Sequence, residues 1–255
     1  MRRILVFAYG LVAYAVFLLA FLYAIGFTGN LLVPKSIDSG IAGNAVIALL
    51  VNASLLILFA MQHSVMARPG FKRWWTRIIP QEIERSTYVL LASSILLLMF
   101  ALWRPITATV WQVDASLGAA LLRSLFALGW AIVFFSTFMI GHFDLFGLNQ
   151  VWLNLQGRIR PADSFRTPML YRIVRHPIML GFLIAFWATP VMSVGHLLFT
   201  VATTGYILVG VQLEERDLIA SHGEAYRRYR RDVPAFVPIP RRVAGAQEGE
   251  RAHAR

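Results

Sequence analysis

YRIVRHPIMLGFLIAFWATPVMSVGHLLFTVATTGYILVGVQLEERDLIASHGEAYRRY, residues 171–229, is the stretch on which the fold turns. Two apolar runs, 178 to 191 and 196 to 213, fold back on each other at Pro190-Val191-Met192-Ser193-Val194-Gly195, a cluster of turn residues. Tyr171, Arg175, His176 and Pro177 stand before the first run, and Glu214 and Glu215 close the second. Counted from the turn, His176 lies about seventeen residues back and Glu214 about twenty-one forward, and at about 1.5 Å per residue the two reach similar depth. One end of an apolar hairpin therefore carries a Tyr, a His and a pair of carboxylates that can line one pocket. The first run is short, since about fourteen residues rise about 21 Å against a hydrocarbon layer of about 30 Å. Its helix is expected to extend back through Tyr171 to His176, or its turn to stay within the membrane.

Working outward, four more apolar stretches lie at 4 to 27, 41 to 61, 88 to 103 and 117 to 140. With 58% hydrophobic and 15% charged residues in 255, and a mean hydropathy of +0.62, the chain is more apolar than a soluble core requires. The expectation is an all-α integral membrane protein with about six transmembrane helices. Loop charge then alternates. The segments 28 to 40 and 104 to 116 carry one basic residue each, Lys35 and Arg104, whereas 62 to 87 holds Arg68, Lys72, Arg73, Arg77 and Arg85 and 141 to 177 holds Arg158, Arg160, Arg166, Arg172 and Arg175. Basic loops face the cytoplasm, so the N- and C-termini are both expected there, in a bacterial inner membrane. The net charge of +11 follows from this distribution, and nucleic acid is not an expected partner. Met1-Arg2-Arg3 followed by a long apolar run without a small-residue cleavage site reads as a retained first helix. Zero cysteines exclude disulfides, thiolate metal ligands and a cysteine nucleophile.

Three parts are expected along the chain: an N-terminal transmembrane scaffold over 1–160, a cofactor-binding core over 161–240, and a disordered basic tail over 241–255. After Glu214 the polar and apolar residues alternate at helical spacing, giving a cytoplasmic or interfacial helix with a break at Gly223. Gly40 and Gly43 are expected to serve helix packing at the start of the second helix. No G-x-G-x-x-G follows a strand and no P-loop is present, so a nucleotide-like cofactor would have to be held by helices.

Read on their own, Arg175-His176-Pro177 fit a basic membrane interface followed by a helix-starting proline as well as they fit a site. Glu214 and Glu215 fit surface pairing with Arg216, Arg172 or Arg175 as well as they fit a cationic ligand.

The spacing goes further than either half alone. Tyr171, Arg175-His176-Pro177 and Gly181, then Glu214-Glu215 and Leu218, Gly223, Tyr226, Tyr229 and Val233-Pro234, resemble the C-terminal signature of the isoprenylcysteine carboxyl methyltransferase and phospholipid methyltransferase superfamily. The resemblance implies S-adenosylmethionine held in a helical pocket at the cytoplasmic face, with cofactor-binding residues Tyr171, Arg175, His176, Pro177, Gly181, Glu214 and Glu215. Two positions depart from the pattern. Met179 stands where the family usually has Tyr, and Gly210 stands where prenylcysteine methyltransferases carry the Arg for the substrate carboxylate. Upstream, QHSVMARPGFKRWW (62–75), ERSTYVL (84–90) and HFDLFGLNQVWL (142–153) resemble the methanethiol S-methyltransferases and the related NnrU membrane proteins. That resemblance implies methylation of a small thiol, methanethiol, to dimethyl sulfide. The alternatives are a lipid or prenyl-thiol methyltransferase, or a non-catalytic NnrU-type accessory protein.

Methyl transfer from a sulfonium asks for alignment in a dry site, and a thiol acceptor asks for a nearby base. His63, His142 and Asp144 lie at the expected cytoplasmic end and are the candidate catalytic residues, with Asp144 placed to hold His142 as a base. The plainer reading is interfacial histidines bonded to loop carbonyls. No i, i+3 or i, i+4 pair of histidines argues for a metal, and none is expected. Arg68, Lys72, Arg73, Trp74 and Trp75 read as an interfacial belt on membrane lipids, and Arg227 to Arg231 as a second headgroup contact.

Overall fold

The computed structural model describes residues 1–41, 43–159 and 167–237. In chain order its elements are α1 (Arg2–Gly29), α2 (Ala45–Ala67), α3 (Pro69–Trp75), α4 (Gln81–Leu102), β1 (Thr109–Gln112), α5 (Ser116–Met139), α6 (His142–Leu145) and α7 (Leu148–Gln156). A 3₁₀ turn (Met169–Arg172) then leads to α8 (Pro177–Trp187), β2 (Val191–Ser193), α9 (Val194–His222) and α10 (Glu224–Asp232). Five helices, α1, α2, α4, α5 and α9, are long and apolar enough to cross a membrane. The sixth apolar stretch forms only the 11 residues of α8.

Local chemistry explains the boundaries. Asn44 caps α2 by accepting the amides of Val46 and Ile47, and Ser193 caps α9 by accepting that of His196. Gly223, at φ 56°, ends α9 and turns the chain into α10, at the break the sequence indicates. The expected backward extension of the short helix does not occur. Pro177 sits in the first turn of α8, where its missing N–H costs nothing, and it holds His176 out of helical geometry at φ −123°, ψ 62°. The chain is also not purely α-helical. β1 and β2 pair antiparallel, Thr109 opposite Ser193 and Gln112 opposite Val191.

That pairing gathers the ends of α4 and α8. The loop after α1 joins them: the Ile37 amide donates to the Phe27 carbonyl (3.0 Å), Lys35 Nζ to the Ala101 carbonyl (2.7 Å), Trp103 Nε1 to the Ile37 carbonyl (3.2 Å), and Ser193 bonds Asp38. α1, α4 and α8 therefore run toward this end and α2, α5 and α9 away from it, so the ends of α2, α5 and α9 and the start of α8 lie together at the other end.

Phe27, Phe100, Trp103, Trp130, Phe186 and Phe199 form the central aromatic core. α5 lies along α8 with backbones touching, because a Cβ on Gly129 would stand 2.7 Å from the Gly181 carbonyl oxygen and one on Gly181 would stand 2.6 Å from that of Gly129. Gly10 packs closely as well, where a Cβ would stand 2.4 Å from Val151 of α7. Gly43, expected to pack a helix, has open space around it.

Candidate functional site

Glu214 and Glu215 are adjacent on α9, so they point to different surroundings. Glu215 faces inward. Its Oε1 accepts from Arg175 Nε (2.8 Å) and Nη2 (2.7 Å) and from His176 Nε2 (3.1 Å), and its Oε2 meets Arg230 Nε at 3.0 Å. Arg175 Nη1 continues to the carbonyl oxygens of Arg230 (3.0 Å) and Val233. The Arg175 and His176 amides donate to the carbonyls of Pro234 (2.9 Å) and Ala235 (3.2 Å), tying the segment after α10 beside the start of α8. Glu215, 8% exposed, is thus the hub of a closed network between α9, α8 and α10. A carboxylate can only accept, so His176 Nε2 is the donor in this contact.

Glu214 remains free of that network. Its side chain is 49% exposed while that of His176 is 6% exposed, and its Oε2 stands 3.8 Å from His176 Nδ1, beyond hydrogen-bond range. Tyr171 is its other neighbour. Burial, and then the Glu214 charge, raises that phenol well above the ordinary tyrosine range. The Tyr171 carbonyl accepts from the Tyr229 hydroxyl at 2.5 Å, and burial, ahead of the opposing pulls of Arg175 and Glu215, pushes the Tyr229 phenol up to about 12. Pro177 is buried at the base of α8, and Gly181 lies on the contact with α5. Of the residues expected to hold a cofactor, Tyr171 and His176 lie beside the exposed Glu214, while Arg175 and Glu215 brace His176 from within.

His63, near the end of α2, lies on the neighbouring wall. Its ring stacks on Phe59 (5.2 Å), and the Tyr88 hydroxyl sits 2.9 Å from Nε2 and 3.0 Å from Nδ1. Ser64 reaches Tyr206 on α9 at 3.3 Å, and Arg68 Nη1 forms an ion pair with Asp217 at 3.0 Å. On this wall three buried polar atoms have no partner: Gln62 Oε1, Arg68 Nε and Trp75 Nε1. Such atoms cost free energy unless a ligand or water meets them.

His142 follows α5 through Gly141, whose φ of 97° lets the chain turn sharply. The Thr137 hydroxyl donates to the Phe134 carbonyl (2.7 Å), so its oxygen accepts His142 Nδ1–H (2.8 Å), and His142 Nε2 accepts the Tyr14 hydroxyl (2.8 Å). The ring stacks on Phe138 at 4.2 Å, and burial lowers its pKa, keeping it neutral. Both nitrogens are thus held by Thr137 and Tyr14. Asp144 accepts from Asn149 Nδ2 at 2.9 Å. A small cleft beside His142 is lined by Phe17, Leu18, Phe21, Phe134 and Thr137. The two histidines flank one aromatic layer: His142 meets Phe146 at 4.8 Å, Phe146 stacks on Phe17 at 3.6 Å and packs against the cluster holding Tyr88.

Tyr14, Thr137, Tyr88, Tyr206 and Asp217 were not indicated by the sequence. Tyr14 lies 128 positions from His142 on a uniformly apolar helix, and no spacing rule links them. Arg68 was indicated only as a lipid contact.

Comparison with known proteins finds no matching family model and no matching solved structure. Among curated proteins, the chain is 56% identical over 242 residues to methanethiol S-methyltransferase of Mycobacterium tuberculosis, covering 95% of this chain and 99% of that one. It is 58% identical to methanethiol S-methyltransferase 2 of Bradyrhizobium diazoefficiens, covering 92% and 91% of the two chains. Nurim of Sus scrofa is 29% identical over 172 residues, covering 64% and 65%.

Proposed function

The chain belongs to the methanethiol S-methyltransferase family, and from that premise we propose how it works. It is a membrane methyltransferase that converts methanethiol to dimethyl sulfide, with S-adenosylmethionine as the methyl donor. The observation that carries the donor assignment is the half-exposed Glu214 carboxylate beside His176 and Tyr171, next to a wall with three unpartnered buried polar atoms. That combination suits a polar, cationic ligand.

When bound, S-adenosylmethionine supplies a methyl group on a cationic sulfur, whose transfer to a thiolate leaves two neutral thioethers. Glu214 accepts hydrogen bonds from the donor's polar groups, and His176 Nδ1 stands beside it as a second polar contact. Glu215 and Arg175 fix the His176 ring, Pro177 fixes its backbone, and Gly181 sets how closely α8 approaches α5. Tyr171 closes the site toward α10.

On the acceptor side, His63 takes the thiol proton. A thiol ionises near pH 8.5, so a neighbouring base raises the reactive fraction. Both of its ring nitrogens lie within reach of a single hydroxyl, that of Tyr88, which can relay the proton. His142 lines the aromatic cleft and Asp144 braces the turn between α6 and α7 through Asn149. The apolar lining matches a small thiol arriving from the bilayer and excludes water from the thiolate. No observation favours a large amphiphilic acceptor or an accessory role.

We further infer six crossings, with α8 as the shortest, in a bacterial inner membrane. The end bearing the three histidines and most of the arginines faces the cytoplasm, with both termini. Membranes containing the protein, given S-adenosylmethionine and methanethiol, should release headspace dimethyl sulfide. Absence of product above an empty-vector control, with donor binding intact, defeats the acceptor assignment.

A further inference from the structure

Arg68 stands at the corner between α2 and α3, its backbone extended at φ −71°, ψ 139° and its amide bonded to the Val65 carbonyl (3.1 Å). Its side chain does not extend into a lipid headgroup layer. It turns to α9 and pairs with Asp217, leaving Nε buried and without a partner. A guanidinium with one edge paired and another orphaned is half of a fork that can grip a second anion. Asp217 lies three positions after Glu214, which puts both carboxylates on one face of α9 about one turn apart, and Arg68 and Asp217 are near enough to act on the Glu214 charge.

The surroundings are densely charged. Lys72 feels Arg85 and Arg68 against Glu84 and Asp217, and burial first, then Arg85, lowers its pKa. Lys72, Arg85 and Arg68 stand against Glu84, Asp217 and Glu214, and the valence left open among them is the orphaned Nε edge of Arg68, which a carboxylate would fill. An ammonium would not fill it, but beside Asp217 it would find an acceptor. The chemistry that satisfies both features is a zwitterion with carboxylate and ammonium on one carbon.

We propose that Arg68 and Asp217 form the subsite for the amino-acid end of the methyl donor, Arg68 binding its α-carboxylate and Asp217 its α-ammonium, with Glu214 one turn away holding the remainder. This rests on the reading of S-adenosylmethionine as donor. It assigns the pair to binding and specificity, with no part in the chemical step.

The test compares two ligands of the full-length protein in detergent by titration calorimetry. S-adenosylhomocysteine carries the amino-acid end, whereas 5′-methylthioadenosine lacks it. Arg68→Gln and Asp217→Asn should each weaken S-adenosylhomocysteine by about tenfold or more, with 5′-methylthioadenosine within about twofold of the wild type. Equal loss of both ligands would mean that the pair only holds α2 to α9, and would overturn the proposal. No change in either ligand would assign Arg68 to the membrane surface with Trp74, and would overturn it too. Should Arg68→Gln fail to fold, Arg68→Lys keeps the charge opposite Asp217 without the fork, and it should still weaken S-adenosylhomocysteine selectively. A wild-type protein that binds neither ligand refutes the donor assignment itself.

Discussion

At the end of the bundle closed by β1 and β2, Asn52 both donates to and accepts from the Arg104 backbone (2.7 and 2.9 Å) and Asp38 is shared by Asn30 and Ser193. Lys35 and Trp103 likewise end on carbonyls there. At the end that carries His176, Gln62, Arg68, Trp75 and Gln150 each keep a buried polar atom without a partner, and Glu214 stands half exposed. Among the described residues the capped end has one such atom, His196 Nδ1. Folding alone explains a polar group that is satisfied by the chain. A polar group left open at a cost of about 1 to 3 kcal/mol is kept for something that arrives later. Stability and binding are therefore expected to separate between the two ends, with Glu215 as the exception that belongs to the fold although it sits beside the site.

The sharpest way to break this division is Glu215→Ala. It strands the Arg175 guanidinium, itself 8% exposed, and should cost about 3 to 5 kcal/mol of stability, read by thermal melting in detergent with early proteolysis near α10. Retention of the melting temperature would show that the network is not a structural clamp. Glu214→Ala makes the opposite demand: donor affinity should fall roughly 10- to 100-fold, the loss of a charged hydrogen bond, while the ligand-free melting curve stays put. Asn52→Ala at the capped end should lower stability by about 1 to 3 kcal/mol and leave turnover per folded molecule unchanged. A loss of donor affinity there would contradict the separation.

The smallest effect concerns pH. His142 is buried neutral, so its folded pKa lies below the unfolded value of about 6.5. Below that pH the unfolded chain binds a proton that the folded ring refuses, and stability drops as pH falls. The wild-type melting temperature should therefore decline on acidification more steeply than that of His142→Gln. Parallel curves would mean that the buried ring titrates normally.

The apolar stretches were legible because hydropathy needs no tertiary knowledge, and Gly223 marked a break through a backbone restriction that acts locally, whereas the limit that Pro177 sets on α8 was overridden by the length a membrane crossing asks for. The pairing of Glu215 with Arg175 was legible only as one of several options, because adjacent carboxylates look alike until a helix face is fixed. β1 and β2 escaped notice, since strands of four and three residues carry no readable alternation. Arg68 resembled its exposed neighbours Arg73 and Trp74, and only the return of α9 reveals Asp217 opposite it. Long-range side-chain pairs such as Tyr14 with His142 belong to packing, which periodicity does not encode.

The shortness of α8 has a consequence for supply and removal. Its 11 residues rise about 16 Å, roughly half of a hydrocarbon layer of about 30 Å, measured from the paired strands. On the six crossings proposed above, His176 at its base lies beneath the headgroups, its ring covered by the protein itself. The concentration of a volatile thiol at such a depth is governed by its oil–water partition, and a more lipophilic thioether product dissolves sideways into the bilayer. Apparent KM values measured against aqueous thiol would then shift with the amount of lipid or detergent in the assay while kcat did not.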